Sequence, residues 1–448
     1  MPNEPREPGE AGPTAISRRS FLRRAGAVGL AGTAAALLPQ RGLMSRAAAQ
    51  GAGATPLRHI VVACQENRAF DHYFGYYPGA GSFGVPASFS QPTGTGGTIK
   101  PNHLSSSITG DISHEWAQIH SEWDNGRMDG FYTTDGRLAL GYYNAADLNY
   151  YYSLAQSFTL CGAFFSSLLG PTFPNRLYLM AGTSSGNTSN NIPHGSLTFP
   201  TVLDLLDAAG ITWKIYNGFL AQTAGFNAAV FFAKRNNDPR ANVDDDVYFT
   251  DLQNGTLPQV AFIAPNVFAC EHPPASIQWG QSYMNTFISA LIASSAWATS
   301  AFIMTYDEGG GFFDHVAPPQ FDAYGAGLRI PTLVVSPYAR RGYISPTVYD
   351  HSSILKLIEA VFGLPTLASL NHQFDAQTPG VNNDAAKGAA FGPPAPPRDG
   401  LSSAATGNLP DTFNFAQNPA YTPTLPRVAV TEPLTEARKA QILSAVLR

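Results

Sequence analysis

The sequence predicts an α/β protein with a central, mostly parallel sheet flanked by helices and interrupted by long loop insertions. Short apolar runs alternate with segments of helical periodicity, and these runs are apolar throughout, as in strands buried on both faces. No repeat of roughly 20–50 residues occurs, which excludes solenoids and propellers. The 448 residues, 44% of them hydrophobic, can bury a large core, so disorder of the whole chain is excluded.

The elements follow in chain order from their apolar patterns. The first strand is predicted at residues 58–64, where β-branched residues precede a polar segment. Further strands are predicted at 211–216, 260–264, 301–306 and 332–335. Helices are predicted at 202–209, which ends at Gly210, and at 283–296, 352–362 and 435–446. Segments 78–110, 218–258 and 366–425 are rich in Gly, Pro and small polar residues, which indicates insertions over the sheet.

Residues 1–49 have the pattern of a twin-arginine export signal. Arg18 and Arg19 precede an uncharged apolar run at 25–38, and small residues follow at 47–49. A membrane anchor is the alternative, but a run of 14 residues is shorter than the ~20 that span a bilayer. We therefore expect export by the twin-arginine machinery to the periplasm or the medium, with residues 50–448 as one domain.

The net charge and the cysteine content exclude some classes of function. The formal net charge is −5, and without residues 1–49 the chain has 20 basic and 29 acidic residues, a net charge of −9. This excludes a general nucleic-acid binder. Cys64, Cys161 and Cys270 have no C-x-x-C spacing, so a zinc knuckle is not indicated, and one disulfide with a leftover thiol remains open.

Polar clusters follow two predicted strands. Glu66 and Asn67 come after the first strand, and Asp307 and Glu308 come after the strand at 301–306. Because functional residues of parallel sheets gather at the carboxyl ends of strands, the two clusters can face each other. Their oxygens are ligands for a hard divalent cation. Solvated loop acids or helix caps are the alternative for either cluster taken alone.

Thr172 and several histidines are candidates for the reacting groups. Thr172 stands where a turn enters a helix, so it is either an N-cap or a hydroxyl nucleophile beside a phosphate held at the helix end. His114, His272 and His315 lie in polar turns, where an imidazole can contact phosphate or protonate a leaving group. Each histidine alone also fits a packed structural role. Tyrosines at 142–143 and 150–152 fit ordinary packing or stacking on a choline headgroup.

Six ordered segments resemble the bacterial phospholipase C and acid phosphatase phosphoesterase family. They are QENRAFDHYFG at 65–75, WDNGRMDGF at 123–131, GPTFPNRLY at 170–178, CEHPP at 270–274, TYDEGGGFFDHV at 305–316 and RIPTLVVSPYARRGYISPTVYDH at 329–351. In the first segment only Ala69 departs from the family signature, where Ser is common. The resemblance implies an alkaline-phosphatase-like fold and cleavage of phosphate esters through a Ser or Thr nucleophile beside a bound metal.

The resemblance also assigns roles residue by residue. Thr172 matches the nucleophile, and the metal or phosphate site is matched by Glu66, Asn67, Asp307 and Glu308. His114, Glu271 and His272 correspond to residues that contact the phosphate or the leaving group, and His315 is placed with the substrate-binding residues. Gly309 stands where relatives often have His or Asn, so one polar contact is absent.

The sequence therefore predicts an exported phosphoesterase of phospholipase C type. Its cofactor is a divalent metal in an oxygen-rich site, with Ca, Mg, Mn or Zn all open, and its substrate is a phospholipid or another phosphate ester, with peripheral membrane contact. Alternatives are a phosphomonoesterase of the acid phosphatase branch and a secreted binding protein without chemistry. Sulfatase activity is not expected, because no cysteine lies in a C-x-P-x-R setting.

Overall fold

The computed structural model describes residues 55–370 and 395–447, and its central element is an eight-stranded sheet. The strands are β1 (His59–Gln65), β2 (Thr159–Cys161), β3 (Trp213–Asn217), β4 (Val243–Asp244), β5 (Val260–Ala264), β6 (Ser300–Tyr306), β7 (Leu333–Val335) and β8 (Tyr343–Ser345). Their order across the sheet is β8-β2-β7-β6-β1-β5-β3-β4. Two short pairs lie outside it, Gln91–Pro92 with Thr98–Ile99 and Asn102–His103 with Gly141–Tyr142.

The predicted mostly parallel sheet is confirmed. Strand β1 lies at the centre, parallel to β6 on one side and to β5 on the other. Strand β7 is antiparallel to both of its neighbours, β6 and β2. Strands β5 and β6 are buried at every residue, as expected for strands covered on both faces.

Helices flank the sheet. They are α1 (Phe70–Phe74), α2 (Trp116–Trp123), α3 (Phe131–Asp135), α4 (Asn149–Ser157), α5 (Thr172–Ala181), α6 (Val202–Ala209), α7 (Asp246–Asn254), α8 (Ile277–Ile292), α9 (His351–Phe362) and α10 (Glu436–Val446). Helix α6 has the predicted bounds because Thr201 and Asp204 form a capping box and Gly210 takes the left-handed conformation (φ 67°).

Two predictions about elements were wrong. Helix α8 begins six residues before the predicted start at 283, where the Ser276 side chain accepts from the Gln278 amide. Its first turns contain Gly280, which is unfavourable in a helix by propensity but is needed because a Cβ there would lie 2.1 Å from Glu271 Cγ. The segment 218–258 is not simply an insertion, since it supplies β4 and α7.

The other sequence-based expectations concern the ends of the chain and the cysteines. The predicted export signal at 1–49 lies outside the described residues, as does the part of the 366–425 segment between 371 and 394. Among the described helices, none combines the length and the apolarity needed to cross a bilayer. Cys64, Cys161 and Cys270 are buried free thiols, so the disulfide left open by the sequence is not formed.

Candidate active site

Two acidic segments meet at the carboxyl edge of the sheet because β1 and β6 are parallel neighbours. Gln65 pairs with Tyr306 at the end of the two strands, so Glu66 and Asp307 follow at adjacent positions. The Asp307 amide donates to the Gln65 carbonyl (3.1 Å), and the Asn67 amide donates to Asp307 Oδ1 (3.0 Å). Glu66, Asn67 and Asp307 are all inaccessible to solvent. The structure thus brings the two predicted clusters together.

The backbone around Glu308 completes this arrangement. The Glu308 amide donates to Asp307 Oδ1 (2.8 Å), and the Gly310 amide donates to Glu308 Oε2 (2.6 Å). Asn67 and Gly310 both have positive φ, 61° and 65°, and the Gly310 backbone passes against Asn67. A Cβ at Gly310 would lie 2.4 Å from the Asn67 carbonyl oxygen, so this close approach requires glycine.

Thr172 is the first residue of α5, and its hydroxyl points at the acidic cluster. Thr172 Oγ1 donates to Glu66 Oε2 at 3.4 Å and makes no capping bond to its own helix. The turn before it is held by Asn175, whose side chain bonds Leu168 N (2.8 Å) and the Leu168 and Gly170 carbonyls (3.1 and 2.9 Å). The alternative reading of Thr172 as an N-cap is therefore wrong, and the hydroxyl is directed into the site.

Arg176 is a site residue that the sequence reasoning missed. Its guanidinium is buried and donates to Glu66 Oε1 from Nε (2.9 Å) and from an Nη, while Nε lies 3.7 Å from Asp307 Oδ2. It lies one turn after Thr172, on the face of α5 that meets Glu66. The signal was a polar pair, Asn175 and Arg176, in an otherwise apolar helix inside the GPTFPNRLY segment.

The Asn67 amide lies between the acids and two imidazoles. One of its terminal atoms faces Glu66 Oε2 (3.0 Å) and Glu308 Oε1 (2.9 Å), and the other faces His272 Nε2 (3.2 Å) and His114 Nε2 (3.3 Å). With nitrogen toward the acids, the amide donates to both carboxylates. With oxygen toward them, three acceptor oxygens converge, and either a bound cation or a proton on one of the carboxyl groups stabilises that arrangement.

The donor set around Asn67 fits a hard divalent cation. Asp307 Oδ2 is buried and receives no hydrogen bond from the described residues, so it is free to act as a ligand. With Glu66 Oε2 and the Asn67 side-chain oxygen, it offers an all-oxygen set of the kind that Ca²⁺, Mg²⁺ or Mn²⁺ prefers. Burial, reinforced by the charge of Asp307, raises the pKa of Glu66 well above its usual range, a cost that a bound cation would remove.

The two histidines differ in charge. Both direct Nδ1 at a backbone carbonyl, that of Ile112 (2.8 Å) for His114 and that of Pro273 (2.6 Å) for His272. Burial alone would lower the pKa of His114, but the nearby carboxylate of Glu308 raises it to about 9. Burial lowers the pKa of His272. Because each Nδ1 donates to a carbonyl, neutral His272 presents a lone pair on Nε2, whereas the raised pKa of His114 favours a proton on its Nε2 while Glu308 is ionised.

Glu271, predicted to contact substrate, lies instead in a buried polar cluster behind the site. Its carboxylate accepts hydrogen bonds from the hydroxyls of Tyr73, Tyr151 and Tyr306, the last at 2.9 Å. It has no solvent-accessible surface. Tyr151 is equally buried, so the structure gives it a hydrogen-bonding role and not a place on the wall of an open pocket.

His315, also predicted to contact substrate, belongs to a separate ionic cluster. Its Nδ1 lies 2.6 Å from Asp71 Oδ2, and Asp314 completes a set of groups spaced closely enough for a metal. However, Arg329 already neutralises both carboxylates, at 3.0 Å from Asp71 Oδ1 and 2.9 Å from Asp314 Oδ1. The contacts of His315 are with this cluster and with Phe89, and none of them is with Thr172 or Glu66.

Comparison with known proteins identifies related sequences. A family model described as "Phosphoesterase family" matches residues 57–365. The chain is 30% identical to a hemolytic phospholipase C of Pseudomonas aeruginosa, over 69% of this chain and 53% of that protein. It is also 30% identical to phospholipase C A of Mycobacterium tuberculosis, over 88% and 89% of the two chains. The chain thus spans about half the length of the Pseudomonas protein.

Among solved structures, a protein of the alkaline phosphatase superfamily from Vibrio parahaemolyticus aligns with 64% of this chain and 73% of its own. The sequence identity of that alignment is 15% and its TM-score is 0.34.

Proposed function

Because the chain belongs to the phosphoesterase family, we propose that it is a phosphoric ester hydrolase of phospholipase C type, with Thr172 as its nucleophile. One observation carries the proposal: the Thr172 hydroxyl, at the start of α5, lies 3.4 Å from the Glu66 carboxylate in a cluster that also holds Asp307 and two histidines. Nucleophile, acids and imidazoles are the parts that phosphoryl transfer through a covalent intermediate requires.

The metal called for by this chemistry would be held by Glu66, Asp307 and the Asn67 side-chain oxygen, with Glu308 beside them. When bound, a divalent cation supplies positive charge to the phosphate oxygens. Arg176 supplies charge of the same sign from the protein itself, since its guanidinium bonds Glu66 and lies 3.7 Å from Asp307.

The proposed reaction has two steps. In the first, Thr172 Oγ passes its proton to the Glu66 carboxylate, to which it is hydrogen bonded, and attacks the phosphorus atom; the bond to the alcohol breaks, and His114 Nε2 gives its proton to the leaving oxygen. In the second, a water attacks the phosphothreonine while His272 Nε2 takes its proton, the bond between phosphorus and Thr172 Oγ breaks, and Glu66 returns the proton to Thr172. The phosphorylated headgroup is released, and exchange with solvent returns His272 to its neutral form and His114 to its protonated form. The different charges of the two histidines suit these opposite roles.

Replacement of the hydroxyl tests the nucleophile. Thr172→Val keeps the shape of the side chain, and we expect kcat on p-nitrophenylphosphorylcholine to fall by about 10³-fold or more. Thr172→Ser is the matched control and should keep activity within about tenfold. Near-normal turnover by Thr172→Val would overturn the assignment. The same assays on p-nitrophenyl phosphate separate a diesterase from the phosphomonoesterase alternative, which predicts the higher kcat/KM on the monoester.

The proposed setting is outside the cytoplasm. The arginine pair and apolar run in residues 1–49 support export by the twin-arginine machinery. The exported protein would reach its phospholipid substrate by binding peripherally to a membrane surface. Fractionation of cells that express the full chain tests the location, with Arg18→Lys/Arg19→Lys as the variant that should stay in the cytoplasm. Export of that variant at the normal level would contradict the proposal.

A further inference from the structure

A second acidic pair lies between helices α2 and α3, away from Thr172. Gln118 and Glu122 are one turn apart on α2, and Asp135 is the last residue of α3. Gln118 Nε2 donates to Asp135 Oδ1 (3.1 Å), and the Gly130 amide donates to the Glu122 carbonyl (3.1 Å). These bonds fix the two helices against each other and bring the Glu122 and Asp135 side chains together.

Glu122 is a buried carboxylate without a donor. It has no solvent-accessible surface, and within the described part of the chain neither of its carboxylate oxygens receives a hydrogen bond. Asp135 Oδ2 is also buried without one. No lysine, arginine or histidine of the described residues forms a salt bridge with either acid. Buried acids are normally paired with a cationic group or bound to a metal, because an isolated buried charge is very costly.

The electrostatics of the pair favour a cation. Burial, the charge of the neighbouring Asp135, a hydrogen bond between the two carboxyl groups when they share a proton, and the charge of the more distant Glu308 all raise the pKa of Glu122 well above its usual range. One shared proton would neutralise one of the two acids, whereas a divalent cation neutralises both. Ca²⁺ accepts bidentate carboxylates and completes its shell with water, and Asp135 is only partly buried.

We propose that Glu122 and Asp135 hold a structural divalent cation of the Ca²⁺ type, with both Glu122 oxygens and Asp135 Oδ2 as protein ligands. This site is separate from the one at Glu66 and Asp307 and does not depend on the proposed function. Its consequence reaches the active site, because α2 begins two residues after His114. A cation that ties α2 to α3 would hold the segment from which His114 reaches Asn67.

Metal stoichiometry of the full-length protein tests the proposal. The chelator-stripped protein is dialysed against Ca²⁺, and bound Ca²⁺ per chain is measured for wild type, Glu122→Gln and Asp135→Asn. We expect each variant to bind one equivalent less than wild type, and added Ca²⁺ to raise the Tm of wild type by more than that of either variant. Glu436→Gln, which removes an exposed acid on α10, is the control and should match wild type.

The opposite results overturn the proposal. If the acids share a proton, Glu122→Gln mimics the protonated form, and it will bind as much Ca²⁺ as wild type with an equal or higher Tm. If Glu122→Gln does not fold, Asp135→Asn decides, because Asp135 is partly exposed and keeps its hydrogen bond from Gln118 through the remaining oxygen. The Asp307→Asn variant separates the two sites, because it should lose only the Ca²⁺ bound at Glu66 and Asp307. If this variant binds no Ca²⁺ although the wild type does, there is no second site.

Discussion

Replacing Gly310 by alanine should damage the active site through a single methyl group. Gly310 has φ 65°, and a Cβ there would lie 2.4 Å from the Asn67 carbonyl oxygen and 2.7 Å from Asn67 Cβ. A Cβ atom does not approach a non-bonded heavy atom closer than about 3.0 Å. The distance from this Cβ to the Asn67 carbonyl oxygen must therefore increase by about 0.6 Å or more, which displaces Asn67. Asn67 is the residue that contacts Glu66, Glu308 and both histidines, and its displacement therefore alters every one of these distances.

The magnitude follows from two separate costs. Alanine in the left-handed region costs about 1–2 kcal/mol relative to glycine, and forcing a methyl group into a packed space adds about 1–3 kcal/mol. The free energy of unfolding should therefore fall by about 2–5 kcal/mol. Because misplacement of a catalytic group by about 1 Å can cost 10²-fold in rate, we expect kcat/KM to fall by about 10- to 100-fold.

Gly210 provides the matched control. It has nearly the same φ, 67°, but a Cβ there would meet nothing within 4 Å. Gly210→Ala should therefore lose only the conformational cost and keep wild-type activity. Urea denaturation measures the two stabilities, and initial rates on p-nitrophenylphosphorylcholine measure the two activities. If Gly310→Ala kept kcat/KM within about threefold of wild type, the close packing against Asn67 would not position the site.

Three further predictions concern buried charges. Arg176→Met leaves two active-site carboxylates without their counter-charge, so stability should fall by about 3–5 kcal/mol in urea denaturation. Tyr151→Phe removes one of three hydroxyls bound to Glu271 and should cost about 1–3 kcal/mol with an unchanged KM. Burial and the nearby Asp399 raise the pKa of Glu359 from 4.5 to about 9, so wild-type stability falls as pH rises through this range, and Glu359→Gln should remove that part of the fall.

Each of these predictions has a contrary outcome. Adding Glu66→Gln to the Arg176→Met protein should restore part of the lost stability, and no restoration would mean that charge is not the cause. A tenfold rise in KM for choline esters in Tyr151→Phe would show that this tyrosine contacts substrate after all. Glu436→Gln should leave the pH dependence of stability unchanged, and an equal effect of Glu359→Gln and Glu436→Gln would refute the argument from burial.

The sequence predicted the sheet well because its strands are continuous apolar runs. Strands β1, β5 and β6 were found within one residue of their bounds, and β1 and β6 carry the two acidic segments at their ends. The short strands β2, β4 and β8 were missed because two or three residues give no period to detect. The start of α8 was missed for a different reason, since Gly280 is set by its contact with Glu271 and not by helix propensity.

Part of the site could be predicted because the order of the strands determines which strand ends lie next to each other. Glu66 and Asp307 follow neighbouring parallel strands, so their proximity could be expected once the sheet was known. Glu271 and His315 stand in equally polar turns, yet the structure places Glu271 under three tyrosines and His315 beside Asp71 and Arg329. Whether a polar side chain faces the cleft or the interior depends on packing between distant segments, which a single sequence does not display.

The charge balance of the cluster connects the structure with the proposed chemistry. Glu66, Asp307 and Glu308 are three buried acids, and the cationic side chains in contact with them are Arg176 and protonated His114. Fully ionised, this set has a charge of −1, which would repel an anionic phosphodiester. Burial raises the pKa of Glu308 to about 8, so without further charge the site can bind the anion only by protonating an acid. A divalent cation changes the balance to +1 with every acid ionised, and that charge matches one phosphodiester anion.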